Sequence, residues 1–181
     1  MSESVKSAAP DASPTLDEVW AWLDDVPDPE IPVISVIDLG IIRDVRWEGD
    51  ELVVVMTPTY SGCPALHVIR ESIGEAIAAK GVKRYRVDTQ LSPAWTTDWL
   101  TERGREQLRG YGIAPPARSD RNEQVIDISA ILARKSQTSG VTCPQCNAGD
   151  TRVVSQFGST PCKALYRCNH CGEPFDYFKT H

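Results

Sequence analysis

The chain has 181 residues, with 25 acidic against 19 basic side chains and a net charge of −6. That length holds one domain of ordinary size plus a small module stapled by metal. Residues 15–115 carry ten Lys/Arg against seventeen Asp/Glu and residues 141–181 carry four against three, so neither part has the basic patch that nucleic-acid binding uses. No apolar run is long enough to span a bilayer, and no charged-then-apolar leader opens the sequence. Six cysteines without a secretion signal point to a reducing compartment, hence a cytoplasmic location with thiols serving metals or chemistry.

Residues 1–14, small and polar, are expected to be disordered. Thr15 and Glu18 form a capping-box pattern, and Leu16, Val19, Trp20 and Leu23 follow at helical spacing. Pro27, Pro29 and Pro32 stop that helix near Asp25. The β-rich runs from Ile41 to Trp47 and from Leu52 to Thr57 flank Glu48-Gly49-Asp50, a hairpin signature. A helix is expected to open at Pro64, with Leu66, Ile69, Ile73 and Ile77 as its apolar stripe and Gly81 beyond its end.

Tyr85, Val87, Thr89 and Leu91 alternate with polar residues as in a strand with one wet face. A last helix is expected from about Thr97 to Arg109. This order predicts an α/β (α+β) fold, a small domain with a mixed or antiparallel sheet over residues 15–115. Residues 116–140 read as a linker, within which Val125 to Leu132 is apolar enough to dock as a short strand or helical turn.

Residues 141–181 are dominated by two Cys-x-x-Cys pairs, Cys143/Cys146 and Cys168/Cys171, with twenty-one residues between them. Each pair holds two thiolates on one tight turn, and two such turns close a tetrahedral shell, the pattern of a β-rich zinc ribbon. His170 sits inside the second turn and should point away from the metal. Strands are expected at Arg152–Phe157, Ala164–Arg167 and Phe175–Lys179, with Phe157, Tyr166, Phe175, Tyr177 and Phe178 covering a small core. A ribbon of this size draws its stability from the metal, and the linker should keep its core apart from the first.

Four further features carry potential chemistry. Cys63, in Ser61-Gly62-Cys63-Pro64, stands at a predicted helix N-terminus, where unpaired N–H groups favour the thiolate; the same position suits a small packed residue equally well. His67, one turn on, reads as a packed or solvent-facing histidine. Asp28-Pro29-Glu30-Ile31-Pro32 puts two carboxylates on a proline-stiffened loop, which fits an acid/base or iron-binding pair, or a rigid turn that Asp28 caps. Cys162 lies between the ribbon pairs, next to Lys163; metal exchange, redox partnership and simple packing all fit it.

Taken together, Asp28-Pro29-Glu30-Ile31-Pro32, Val36-Ile37-Asp38-Leu39-Gly40 and Met56-Thr57-Pro58-Thr59-Tyr60-Ser61-Gly62-Cys63-Pro64 resemble the signature of a small α/β iron–sulfur-assembly domain family. That family includes SufT-type and cytosolic iron–sulfur targeting proteins, and the resemblance extends to Pro93-Ala94-Trp95. With the ribbon strings FGSTPCKALYRC and EPFDYFK, the whole chain is similar to PaaD-type subunits of the bacterial phenylacetyl-CoA 1,2-epoxidase system. The resemblance implies an accessory role in aerobic phenylacetate catabolism, alongside a diiron oxygenase and a reductase. It implies a cluster-binding or reactive Cys63 with Asp28, Glu30, Thr57 and Thr59 around it, zinc in the ribbon, and iron or an iron–sulfur cluster held transiently.

One thiol cannot hold a cluster unaided, so a homodimer, the ribbon or a client must supply further ligands. Three roles follow: a metal-maturation factor, a structural adaptor with a stable zinc module, or an enzyme using Cys63 as nucleophile. The last lacks a base placed beside the thiol in the sequence, so no independent catalytic activity is expected. No nucleic acid or membrane partner is expected.

Overall fold

The computed structural model describes residues 13–117 and 140–179. Most of the expected disordered N-terminus and most of the linker, including residues 125–132, lie outside the described residues. Helix α1 spans Leu16–Asp24. Both halves of its capping box form: Thr15 Oγ1 accepts from the Glu18 N–H, and the Glu18 carboxylate accepts from the Thr15 N–H at 2.8 Å. Val19 and Leu23 are its buried residues. The proline loop that follows is stitched to itself, with Asp28 N donating to Ile34 O and Val36 N donating to Val26 O, both at 2.9 Å.

Strands β1 (Ile42–Glu48) and β2 (Glu51–Met56) pair antiparallel around Gly49. Helix α2 (Leu66–Ala79) then crosses over to β3 (Tyr85–Thr89), which lies parallel to β2. The sheet is therefore mixed, in the order β1-β2-β3, with the nearly all-apolar β2 buried at its centre. Ile69, Ile73 and Ile77 turn the buried face of α2 onto it.

Two elements differ from the sequence expectation. Helix α2 begins at Leu66 rather than Pro64, because Cys63 to Leu66 closes a turn in which Leu66 N donates to Cys63 O at 3.3 Å. The helix expected from Thr97 is divided into a single 3₁₀ turn, Thr97–Trp99, and helix α3, Glu102–Gly110. Thr101 makes the division: its hydroxyl caps α3 by accepting from Gly104 N at 3.0 Å, and its own N–H donates to Asp38 O at 2.9 Å.

Asp38 is the buried anchor of this corner, its carboxylate accepting from the Thr101 hydroxyl and from Arg103 Nε at 2.6 Å. Gly40 completes it. Its φ is +69°, and a Cβ there would stand 2.3 Å from the Trp99 carbonyl oxygen, so the close approach requires glycine.

The ribbon sheet has the order β4-β7-β6-β5, from β4 (Ile113–Ala114), β5 (Thr151–Ser155), β6 (Lys163–Cys168) and β7 (Pro174–Phe178). Strand β4, which directly follows α3, pairs in parallel with β7. Tyr166, Phe175 and Tyr177 pack around the ribbon's own small core. Phe178 does not: it is 1 % exposed within the N-terminal core, its ring centroid 5.9 Å from Trp95 in an edge-on contact. Phe157 is 71 % exposed and covers no core. The expectation of two separated cores is thus corrected. An extended strand alternates its side chains, so while β7 lays Phe175 on one core it lays Phe178 on the other.

All five tryptophans lie between residues 20 and 99, so tryptophan fluorescence reads the N-terminal domain. Phe178→Ala, a change in the ribbon, should lower that domain's unfolding free energy in guanidinium by about 3–5 kcal/mol. An unchanged fluorescence midpoint would show that the domains fold without each other.

Candidate metal and thiol sites

Four ribbon sulfurs converge: those of Cys143, Cys146, Cys168 and Cys171 all lie within 4.8 Å of one another. The separations are 3.8 Å for Cys143–Cys171 and 3.6 Å for Cys146–Cys168. A tetrahedral shell with metal–sulfur bonds of about 2.3 Å requires sulfurs about 3.8 Å apart, so the set fits a four-thiolate metal site. Each knuckle owes its shape to a left-handed residue, Asn147 at φ 60° and Gly172 at φ 81°, and Gly172 N donates to Cys168 O at 3.1 Å. The Cys171 N–H points at Cys168 Sγ (3.5 Å) and helps hold that thiol down at about 6. His170 is exposed and stands outside the group.

The second group gathers at the seam between the domains. Asp28 is buried, and its Oδ1 accepts from the backbone N–H groups of Glu30 and Ile31, each at 2.9 Å. Glu30 is half-buried, and its Oε2 lies 3.9 Å from Cys162 Sγ, the thiol being the donor. The Cys162 sulfur also lies 3.0 Å from Thr160 Oγ1. Half-buried Cys63 and Cys162 pack against the same N-terminal core cluster, although Cys162 comes from the ribbon.

Burial raises both thiols above their ordinary range, and the negative charges of Glu30 and Asp28 raise them further. For Cys63 this corrects the expected thiolate. The backbone N–H groups of Ala65 and Leu66 do favour the anion, but burial outweighs them. For Cys162, Lys163 favours the thiolate only weakly against the same two carboxylates. Burial likewise raises Asp28 and Glu30, with Lys163 acting on both in the opposite direction.

Thr57 and Thr59 are buried, and both line a cleft of about 200 Å³ with Tyr60, Ser61, Leu91 and Trp95. The Thr57 hydroxyl has no hydrogen-bond partner among the described residues. Cys162 and Glu30 therefore meet, while the two threonines line a cleft that Cys63 does not. His67 faces solvent against Glu71 at 3.2 Å, as expected of a solvent-facing histidine. Sequence reasoning missed Asp176, which holds the buried Lys163 ammonium at 3.6 Å. Its only signal was β-strand alternation, which set Asp176 opposite Leu165 with no hint of the lysine.

Fold and sites together define a mixed α/β domain joined to a four-thiol ribbon. The family model for "Iron-sulfur cluster assembly protein" matches residues 16–88, and that for the "PaaD zinc beta ribbon domain" matches residues 129–179. A protein of Escherichia coli K12, named as a component of 1,2-phenylacetyl-CoA epoxidase, is 47% identical over 93% of this chain and 94% of its own length. The chain belongs to the PaaD family of phenylacetyl-CoA epoxidase components. An Fe–S protein maturation auxiliary factor of Porphyromonas gingivalis is 38% identical over 52% of this chain and 90% of its own. A second such factor, from Bacillus subtilis, is 33% identical over 47% of this chain and 84% of its own.

Alkylation of Cys63 by iodoacetamide should rise with pH through a midpoint above that of an ordinary thiol, since only the thiolate reacts. Removing the neighbouring charge by Glu30→Gln should move that midpoint down. The measurement is made on a Cys162→Ser background by mass spectrometry of the Cys63 peptide. A midpoint below that of free cysteine would show that the helix N-terminus dominates after all.

Proposed function

We propose that this chain is an accessory maturation subunit of a phenylacetyl-CoA epoxidase system. In this reading it holds iron or an iron–sulfur cluster transiently and helps load the oxygenase or the reductase. Cys63 is the principal ligand, with Asp28, Glu30 and Cys162 beside it, and Thr57 and Thr59 shape the loop that carries it. Zinc fills the four-thiol ribbon as a structural ion, supported by sulfur separations of 3.6 and 3.8 Å. The cytoplasm, which keeps thiols reduced, is the compartment that suits six free cysteines.

The observation that carries the reading is the half-buried Cys63 at the turn into α2, in a chain whose N-terminal domain matches the iron–sulfur assembly family. A ligand set of mixed thiol and carboxylate binds less tightly than four thiolates, which suits a donor that must release its cargo. The catalytic chemistry of the system belongs to other subunits. A structural-adaptor reading draws on one observation: the edge strand β5 and the turn after it expose Val153, Val154 and Phe157, a surface suited to docking.

Cys63→Ala should leave the chain folded, because it removes little volume at a half-buried turn. Co-expressed with the other epoxidase components, it should lower the iron content of the oxygenase or the reductase and, with it, phenylacetyl-CoA epoxidation. Iron counted on the isolated partners checks this. Full iron occupancy beside the variant would favour the adaptor, whose signature is loss of complex assembly on Phe157→Asp.

A further inference from the structure

The cleft beside the loop after β2 holds a polar group that the fold leaves unused. Thr57 is 1 % exposed, and its hydroxyl has no hydrogen-bond partner among the described residues. A buried hydroxyl left unpaired is destabilising, and the cost falls away once an acceptor reaches it. Thr57 is not placed to find one by shifting, because its N–H donates to Ile41 O at 2.8 Å. Just before it, Met56 O accepts from Gln90 N at 2.8 Å, which ties the floor of the cleft to the loop that carries Leu91.

The walls decide what that acceptor belongs to. Thr57, Thr59 and Ser61 bring hydroxyls, Tyr60 and Trp95 bring rings, and among the described residues no charged side chain lines the cleft. Trp95 already donates its indole N–H to Leu39 O at 2.9 Å, so it offers the cleft only its ring. An ion would lose hydration here and gain no opposite charge, so the occupant is uncharged. The volume, about 200 Å³, limits it to a single ring with a short arm; benzene fills a cavity of about 150 Å³. Tyr60 and Leu91, 43 % and 58 % exposed, stand at the mouth, and a ligand reaches the sealed hydroxyl as these two side chains part.

We propose that this cleft binds a small uncharged carbonyl compound with an apolar body the size of a single ring. The body lies against Trp95 and Tyr60, and the carbonyl oxygen accepts from the Thr57 hydroxyl. The occupant touches the loop that leads to Cys63 without touching the thiol. Cys63 N donates to Tyr60 O at 3.1 Å, and the Tyr60 ring packs so closely on Gly62 that a Cβ there would stand 2.9 Å from it. The site goes beyond the maturation reading and does not rest on it, and iron content plays no part in its test.

The test titrates the full chain with phenylacetamide, a neutral single-ring carbonyl probe, and follows backbone and indole N–H resonances by NMR. Saturable shifts should centre on Thr59, Tyr60 and the Trp95 indole, with a Kd on the order of millimolar. Phenylacetate, the same ring with a charge, should bind about tenfold more weakly or not at all. Thr57→Val keeps the side chain's outline and removes the hydroxyl. It should weaken phenylacetamide about five- to tenfold, leave toluene binding unchanged, and not lower the unfolding midpoint in guanidinium. Ala94→Leu, at an exposed position on the wall, should block both ligands. A midpoint that falls in Thr57→Val would show the hydroxyl already bonded and overturn the site. So would the absence of saturable shifts, or equal phenylacetamide affinity with and without the hydroxyl. Tighter binding of N-acetylphenylalaninamide than of phenylacetamide would also overturn it, giving the cleft to a side chain of a partner protein instead.

Discussion

The arrangement hangs on strand β7 serving two cores at once. One end faces Tyr166 through Phe175 inside the ribbon, and the other sends Phe178 beneath Trp95 in the N-terminal domain. Parallel pairing of β4 with β7 adds backbone hydrogen bonds to the same seam. Because β4 directly follows α3, the Asp38–Thr101–Arg103 clamp that fixes α3 also fixes where the ribbon docks. Lys179 N donates to Cys162 O at 2.9 Å, so the end of β7 also positions the turn that carries Cys162.

This coupling links the two thiol groups mechanically. Strand β6 begins at Lys163, beside the seam group, and ends at Cys168, a member of the four-thiol site. Strand β6 therefore joins the four-thiol group at one end to the turn at the other that carries Cys162, whose thiol donates to Glu30. Through Phe178 and Cys162 the ribbon acts here as a wall of its neighbour's core. The charged groups at that wall oppose one another: burial disfavours every anion in the patch, while Lys163 offsets part of the cost.

Much of the local structure was legible beforehand because it follows from short-range rules. The capping box at Thr15, the Ile69/Ile73/Ile77 stripe, the Glu48–Asp50 hairpin and the four-cysteine spacing each need only a few neighbouring residues. Failures arose where a distant partner intervened. Asp38 divided the last helix by gripping Thr101 from across the chain, sixty-three residues away. Phe178 looked like one more ribbon aromatic, since sequence pattern cannot say which of two cores an alternating strand end will enter.

The sequence by itself determined which residues could bind metal, since thiols and carboxylates are a matter of composition, and paired spacing defines a tetrahedral shell without any fold. It also determined the element types, because hydrophobic period and capping act within a few residues. Only the tertiary structure decided which of those groups meet. Cys162 and Glu30 lie 132 residues apart, and their encounter depends on how the ribbon is seated. It decided the protonation of Cys63 as well: a helix N-terminus favours the anion, but the solvent removed by packing and the carboxylates brought alongside favour the thiol.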